Sequence, residues 1–448
     1  MINKRYFRAI ALGLLVATAS CDVLDVEPQT SLPAQTAFNN KSAAEAGLIG
    51  AYSSLQSGNY MGLRYFIFAD LTADNLTHTG TYPSFAQIAN RQILPDNTEL
   101  NNMWNTIYEG INRANNLIAQ VPNIEDPAFT NKEEVIAQAR FLRAYHYFNL
   151  INYYGGSPNG YGKPDGLGVP LRTEPTLAVA DAAPIARASE VEVIAQVMDD
   201  LDFAIENLSA SAAPGLATQN AAIALKSRVQ LYQGNYQEAA DLAGELIDAY
   251  TLPENYADIY EVRNTSESIW ELQFDAVNSN SIAFFYFPSA LGGRNEVSPS
   301  ANLSAAHEEG DERKDVNNTT SSYTAKYTRI SDGTDHVMLI RYAEVLLNRA
   351  EALARLDQTE EAEGLLNMVR MRAGLETYAS TSQDDLINQI LLDRRIELAH
   401  EGHRWFDLRR TGTATTVLGI TDDRKTLWPI PQREILNSED LVEQNPGY

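Results

Sequence analysis

The stretch Leu391–Arg410, LLDRRIELAHEGHRWFDLRR, closely mixes charged and large apolar side chains. Its part before Gly402 is predicted to be helical, because an apolar stripe begins earlier, at Leu386, Ile387, Ile390 and Leu391. The charged members are Asp393, Arg394, Arg395, Glu397, Glu401, Arg404, Asp407, Arg409 and Arg410. Among so many apolar neighbours these charges cannot all face water. We therefore expect buried ion pairs, since the planar Arg fork binds a carboxylate bidentately.

An acid/base or metal site is the alternative interpretation of the same stretch. His400 and His403 lie three residues apart with Glu401 between them. The zinc-binding helix pattern H-E-x-x-H separates its two histidines by four residues, so this spacing does not match it. Buried ion-pair networks are the commoner reason for such a cluster. The sequence therefore favours a structural role for Leu391–Arg410, which we call the packing hub, over an active site.

An internal similarity links two helical units. Asn235-x-x-Glu238-Ala239-Ala240 follows a helix that ends in Leu231-Tyr232-Gln233-Gly234, and Asp357-x-x-Glu360-Glu361-Ala362 follows one that ends in Leu353-Ala354-Arg355-Leu356. The units lie 122 residues apart (357 minus 235). Each predicts a helix, a tight turn and a second helix that begins with small residues. This pattern is typical of tetratricopeptide-like hairpins, which stack to bury one continuous core.

The fold predicted from these patterns is all-α: a superhelix of stacked helical hairpins with an inserted, loop-rich region that contains short strands. We place the insertions at about 60–102 and 252–335. In the second, Trp270, Leu272 and Phe274 alternate as in a strand. Because this insertion separates the two similar units, the array is spatial rather than tandem in sequence.

Two further helices carry sequence signals for an N-terminal cap. A third helix carries a tryptophan that could stack on a ligand. Asn131-x-x-Glu134 and Ser189-x-x-Glu192 both resemble capping boxes. Trp104 lies on one helical stripe with Ile107 and Ile111, so we expect it in the core rather than on a ligand surface.

Composition indicates a large globular protein and limits its ligands. The 448 residues are 44% hydrophobic and 21% charged, which is enough to bury a substantial core. The net charge of −25 argues against binding to nucleic acid, because phosphate binding needs clustered Lys and Arg. It also disfavours anionic membrane surfaces and polyanionic ligands, although a local basic pocket is compatible with it.

The N-terminus is predicted to be a lipoprotein signal peptide, residues 1–20. Lys4, Arg5 and Arg8 precede the apolar run Ala9–Ala19, which is too short to span a bilayer. Cys21, the only cysteine, follows this run and small residues, so it cannot form an internal disulfide and its position resembles a lipobox. We expect Cys21 to be lipidated and residues 21–448 to form one domain; an ordinary secretory signal with an incidental cysteine is the alternative.

Three segments carry a family resemblance. They are Arg394-Arg395-x-Glu397-Leu398-x-x-Glu401-Gly402-His403-Arg404-Trp405-Phe406-Asp407-Leu408-Arg409-Arg410; Arg341-Tyr342-Ala343-Glu344 with Ala350-Glu351-Ala352; and Pro429-Ile430-Pro431-Gln432-x-Glu434-Ile435 with Gln444-Asn445-Pro446-Gly447-Tyr448. Together they resemble the SusD/RagB family of nutrient-binding outer-membrane lipoproteins, which partner TonB-dependent transporters. The resemblance identifies a family and not a nutrient.

This resemblance implies a cell-surface protein that is lipid-anchored in the outer membrane, binds oligosaccharide or other glycan, and delivers it to a SusC-like TonB-dependent transporter. A peptide-binding, RagB-like uptake protein and a repeat-type interaction scaffold are the alternatives, because helical repeats usually bind polypeptides. No nucleophile elbow, Walker loop, CxxC pair or zinc helix is present in the sequence, so we expect no enzyme, no cofactor and no metal. A glycosidase carboxylate pair stays open at this stage, since sequence does not show a cleft.

The resemblance also places the ligand surface in loops outside the repeat core, here 70–89 and about 276–299. Sugar rings present apolar faces edged with hydroxyl groups, so exposed aromatic side chains beside amide, carboxylate or guanidinium groups suit them. The candidates are Asp74, Asn75, Tyr82, Phe85, Tyr286, Arg294 and Asn295. Phe85 and Tyr286 are also compatible with core filling beneath the loops. Tyr82, between Thr81 and Pro83, is the first choice.

Overall fold

The computed structural model describes residues 38–210 and 215–448. The predicted signal peptide and Cys21 lie outside the described residues. The helices are α1 (Lys41–Leu55), α2 (Arg64–Thr72), α3 (Pro83–Ala89), α4 (Thr98–Gln120), α5 (Lys132–Tyr154), α6 (Glu190–Asn207), α7 (Gln219–Gln233), α8 (Tyr236–Gly244), α9 (Asp258–Glu261), α10 (Ile282–Tyr286), α11 (Ala301–Ala306), α12 (Arg313–Asn317), α13 (Tyr342–Arg355), α14 (Thr359–Arg372), α15 (Gln383–Glu397), α16 (Arg404–Arg410), α17 (Ala414–Leu418) and α18 (Gln432–Asn437).

In the described part of the chain, short strands pair in three antiparallel sheets of two strands each. The strands are β1 (Leu76–His78), β2 (Leu167–Pro170), β3 (Arg187–Ser189), β4 (Ser268–Leu272), β5 (Val297–Pro299) and β6 (Val337–Arg341). The pairs are β1 with β5, β2 with β3, and β4 with β6. The predicted all-α class with short inserted strands is therefore confirmed.

The long helices pack in series to form the repeat core. α1 packs on α4, α4 on α5, α5 on α6, α6 on α7 and α7 on α8. The series then crosses the insertion, because α8 packs on α13, α13 on α14, and α15 on both of these. Arg228 of α7 also pairs with Glu344 of α13 at 2.6 Å. The two similar units are thus neighbours in space, as predicted, and the fold is TPR-like.

Of the two predicted capping boxes, one forms and the other does not. Ser189 caps α6, since its Oγ accepts from the Glu192 N–H while Oε2 of Glu192 accepts from the Ser189 N–H. The Asn131 side chain makes no capping hydrogen bond at the start of α5, so the box predicted there does not form. Gly234 ends α7 in the left-handed conformation with φ 80°, which favours glycine at the turn of a hairpin.

The first insertion is more regular than its sequence predicts. Residues 60–102, predicted to be irregular, contain α2, α3 and the first turn of α4. Every α2 residue from Tyr65 to Thr72 is buried, so this helix has no solvent face. Helical periodicity arises from the contrast between a buried and an exposed face, and α2 therefore carries no periodic signal. No helix in residues 38–210 or 215–448 is long and apolar enough to cross a membrane.

The hub is an ion-pair network, as predicted, but the helix in it is shorter than expected. α15 ends at Glu397, and the chain turns through His400 (φ 66°) and Gly402 (φ 80°) before α16. Within the hub, Arg394 pairs with Asp407 at 2.9 Å. Other buried pairs join the hub to further elements: Arg410 to Glu351 (2.6 Å), Arg341 to Glu397 (2.6 Å) and Glu401 (2.8 Å), and Arg313 to Asp393 (2.9 Å).

Electrostatics agree with a structural role for these charges. Burial alone would raise the pKa of the Asp407 carboxyl, but the guanidinium groups of Arg394 and Arg410 hold this pKa below its ordinary value. Burial lowers the pKa of His400 to about 3 and that of His403 well below its ordinary value. Both imidazoles are therefore neutral at physiological pH, inside the core.

Candidate functional site

Two loops that are distant in sequence meet at the β1–β5 sheet. His78 pairs with Val297, Thr77 with Ser298 and Leu76 with Pro299. The carbonyl of Asn295 accepts a hydrogen bond from the Thr79 hydroxyl at 2.9 Å, which extends the contact beyond the strands. The segments 70–89 and 276–299, both selected from the sequence, therefore form one continuous surface.

Tyr82 and Arg294 form the exposed centre of this surface. The Tyr82 side chain precedes the first turn of α3 and is 38% exposed. The guanidinium carbon of Arg294 lies 3.6 Å from the centroid of the Tyr82 ring, a cation–π contact. The ring also packs against Phe85, with centroids 5.7 Å apart, and Phe285, at 6.3 Å. Tyr82 is thus held in place while part of its ring faces solvent.

Glu296 organises the pair from beneath, and sequence reasoning did not select it. One carboxylate oxygen, Oε1, accepts from the Tyr82 N–H at 2.8 Å and lies 2.9 Å from Nε2 of His78. The other, Oε2, accepts from Nε of Arg294 at 2.9 Å. A Cβ atom at residue 80 would overlap with this carboxylate, so only glycine fits there. Glu296 thereby fixes both members of the cation–π pair.

The charge of Glu296 is retained despite its position. Its side chain has no exposed surface, and burial alone would raise its pKa. The donors from Tyr82, His78, Thr81 and Arg294 outweigh burial and hold the pKa of the carboxyl below its ordinary value. The only sequence signal was its place directly after Arg294 and Asn295, which gave no indication of burial.

Asp74 joins the loop to the hub instead of standing free. Its Oδ1 accepts from Nε of Arg404 at 2.7 Å, and its Oδ2 lies 3.2 Å from Nη2 of Arg395. Arg395 also donates from Nε to the Asn75 side-chain oxygen at 2.9 Å. These contacts stabilise the loop that leads into β1.

Three of the selected side chains have no exposed surface. Asn75, Phe85 and Tyr286 are each 0% exposed. Phe85 stacks on Phe285 with ring centroids 5.7 Å apart, and the Tyr286 ring packs against His400. As a correction to the candidate set, these three support the surface from below, because loop residues on the inner side fill the core.

The groups that remain on the surface can serve a hydroxylated ligand. Arg294 is 27% exposed, and in the described part of the chain its two terminal amino groups make no hydrogen bond. The Asn295 side chain is partly exposed and likewise has no hydrogen-bond partner among the described residues. With the Tyr82 ring, they combine an apolar face with fixed donors and an amide. This combination fits sugar recognition.

The described residues give no metal centre. Within 38–210 and 215–448, no group of three or more His, Cys, Asp or Glu side chains is arranged to hold a metal ion.

Comparison with protein-family models gives two matches in separate parts of the chain. The model described as "SusD family" matches residues 285–426. A second model, described as "Starch-binding associating with outer membrane", matches residues 22–231.

Individual relatives agree over nearly the whole length. A SusD-like protein of Formosa agariphila is 27% identical over 520 aligned residues, covering 100% of this chain and 99% of the relative. A SusD superfamily structure from Bacteroides thetaiotaomicron aligns with a TM-score of 0.80 and 26% identity, covering 90% of this chain and 99% of that one. A laminarin-binding SusD-like protein aligns with a TM-score of 0.77 and 26% identity, covering 92% and 100%.

Proposed function

Because the chain belongs to the SusD/RagB family of glycan-binding proteins, we propose that it captures oligosaccharides at the cell surface and passes them to a SusC-like TonB-dependent transporter. In this proposal Cys21 carries a lipid that anchors the protein in the outer membrane, facing the cell exterior. The protein binds its ligand and does not cleave it.

The observation that carries the ligand class is the partly exposed Tyr82 ring with the Arg294 guanidinium over it, 3.6 Å from the ring centroid. A sugar ring packs its apolar C–H face on an aromatic ring, while its hydroxyl groups accept from a guanidinium and exchange hydrogen bonds with an amide. Glu296 pre-positions Tyr82 and Arg294. Little conformational entropy is then lost when the ligand binds.

The ligand charge follows from the same surface and from the chain as a whole. The overall charge of −25 repels polyanions, and the carboxylate of Glu296 neutralises Arg294 locally. We therefore propose a neutral glycan. Laminarin is a suitable first ligand, since one of the structural relatives binds it.

Titration calorimetry with laminari-oligosaccharides, other neutral glycans and peptides tests the proposal. Tyr82→Ala should weaken glycan binding about tenfold or more, a loss of about 1.4 kcal/mol or greater. Tyr82→Phe should bind nearly as wild type, because it keeps the ring. Ile49→Ala, which truncates an exposed residue of α1, is the matched surface control.

Several outcomes would contradict this proposal. Unchanged glycan affinity in a stable Tyr82→Ala protein would remove Tyr82 from the site. Binding of peptides but of no glycan would support the RagB-like alternative. Release of shortened sugars in a hydrolysis assay on the same panel would show an enzyme.

A further inference from the structure

A cavity lies apart from the Tyr82 surface, where three segments of the chain meet. It has a volume of about 430 Å³, within the range of roughly 300–1,000 Å³ that is common for ligand pockets. Its walls come from one face of α4, from residues 170–184 and from α18 with Ser438. None of its lining residues belongs to the group around Tyr82.

Hydrogen bonds between the walls hold the cavity open. Tyr108 of α4 donates from its hydroxyl to the carbonyl of Pro170 at 2.8 Å. Trp104 donates from Nε1 to Oε2 of Glu434 in α18 at 3.3 Å. The Asn112 side-chain oxygen accepts from the N–H of Thr176 at 2.8 Å. The cavity is thus a fixed feature of the fold.

One wall is aromatic. The rings of Trp104 and Tyr108 lie 5.0 Å apart on successive turns of α4, and Tyr108 is partly exposed while Trp104 is buried behind it. Tyr108 therefore presents ring surface to the cavity with firm support. Such a backed aromatic surface suits the apolar face of a sugar ring.

Unused polar groups line the cavity beside the aromatic rings. Asn105, Glu174 and Asn437 are exposed, and in residues 38–210 and 215–448 their side chains form no hydrogen bond. An amide both donates and accepts, and a carboxylate accepts strongly, so together they can bind several hydroxyl groups. No internal role in the described structure competes for them.

The charges on the walls of the cavity disfavour anionic ligands. The lining residues include three carboxylates, on Glu109, Glu174 and Glu434, and one cation, Arg172. Glu109 is paired with Arg113, which leaves Glu174 and Glu434 as the carboxylates without a basic partner in the described part of the chain. Arg172 already donates from Nη2 to the carbonyl of Ala183 at 2.7 Å. A uronate or sulfated sugar would meet net negative charge here, whereas a neutral sugar would not.

We propose that this cavity is a second carbohydrate site, which binds one or two neutral sugar rings against Tyr108, with Asn105, Glu174 and Asn437 bonding their hydroxyl groups. It would hold a different part of a long glycan, or a second chain, while the Tyr82 surface binds the first. The choice of a carbohydrate as the ligand rests on the function proposed above, whereas the geometry of the cavity is independent of that function.

The test measures each site in the absence of the other. Saturation-transfer NMR is run with neutral di- and trisaccharides, laminaribiose and maltotriose included. In a Tyr82→Ala/Arg294→Ala protein, at least one sugar should still bind. Adding Asn105→Ala and Asn437→Ala should weaken that binding at least tenfold without changing the melting temperature, because both side chains are exposed.

The outcomes separate the two sites. If Tyr82→Ala/Arg294→Ala alone abolishes all sugar binding, the second site is overturned and the Tyr82 site stands. If sugar affinity in that background is unaffected by the loss of Asn105 and Asn437, the second site is also overturned. If wild-type affinity survives in the Tyr82→Ala/Arg294→Ala protein and is lost only with the two amides, the cavity stands and the Tyr82 site fails.

Discussion

Arg404 donates from Nε to Oδ1 of Asp74 over 2.7 Å, and from Nη2 to Oδ2 over 3.1 Å. This bidentate pair joins α16 in the hub to the loop that enters β1. Its two residues are 330 positions apart in the chain. The packing hub and the candidate ligand surface are therefore physically coupled.

The hub should respond unequally to truncation. Asp407→Ala should lower the free energy of unfolding by about 3–5 kcal/mol, because it leaves the buried Arg394 and Arg410 short of an acceptor. Arg404→Ala should cost less, about 1–2 kcal/mol, since the pair is partly solvated and Asp74 keeps Arg395. Urea unfolding measures both. Equal values, or no loss with Asp407→Ala, would contradict the burial described for that side chain.

Glu296→Gln should weaken glycan binding more than it lowers stability. The amide keeps one accepting oxygen but loses the second, so either the Tyr82 N–H or the Arg294 Nε–H is left without its acceptor. We expect about a tenfold loss of affinity by calorimetry, equivalent to about 1.4 kcal/mol. Glu309→Gln, an exposed substitution of the same kind, is the control. A wild-type affinity for Glu296→Gln would separate the carboxylate from ligand binding.

Asp70 predicts a pH dependence of stability. Burial raises the pKa of its carboxyl from 3.8 to about 7, and its Oδ2 has no hydrogen-bond partner among the described residues. A group with a raised folded-state pKa contributes stability that is fully present below pH 3.8 and is lost as the pH rises through about 7. Asp70→Asn should therefore reduce the loss of stability between pH 5 and 8 by about 2 kcal/mol.

Melting curves of wild type and Asp70→Asn at several pH values check this. Because other groups titrate equally in both proteins, the difference between the two profiles isolates Asp70. Parallel profiles from pH 5 to 8 would mean that the carboxyl is ionised throughout.

Cys21→Ala should release the protein from the membrane fraction and abolish palmitate labelling. The reason is that acyl chains on this cysteine would provide the anchor, each buried methylene contributing about 0.8 kcal/mol. Cell fractionation and metabolic labelling are the measurements. Retention of unlabelled Cys21→Ala protein in the outer membrane would place the anchor elsewhere.

The hub shows what composition can predict. Nine charges among large apolar side chains in 391–410 indicated that Arg and carboxylate groups must pair. The partners of these charges were not predictable, because Arg313 and Arg341 are brought to Asp393 and Glu397 by long-range packing. A side chain's need for a partner is local, whereas the identity of that partner is a property of the whole fold.

The ligand surface shows a second limit. Tyr82 and Arg294 were both selectable, because isolated aromatic and cationic residues in polar loops favour binding. The sequence shows that a residue lies in a loop but not whether its side chain points to solvent or to the core. Asn75 and Tyr286 were therefore selected although they are buried. Strands of three residues such as β1 and β5 are too short for an alternating pattern. The pairing of β1 with β5 brings Glu296 to Tyr82, and this contact was missed because the pairing could not be predicted.

The three-residue pairing of β1 with β5 also has a consequence for engineering. Each loop supplies half of the recognition surface, and each is kept in register by the other. A loop transplanted alone from a relative with another sugar preference would meet a mismatched neighbour across the sheet. New specificity would thus have to be grafted as a matched set, with residues 70–89 and 276–299 exchanged together.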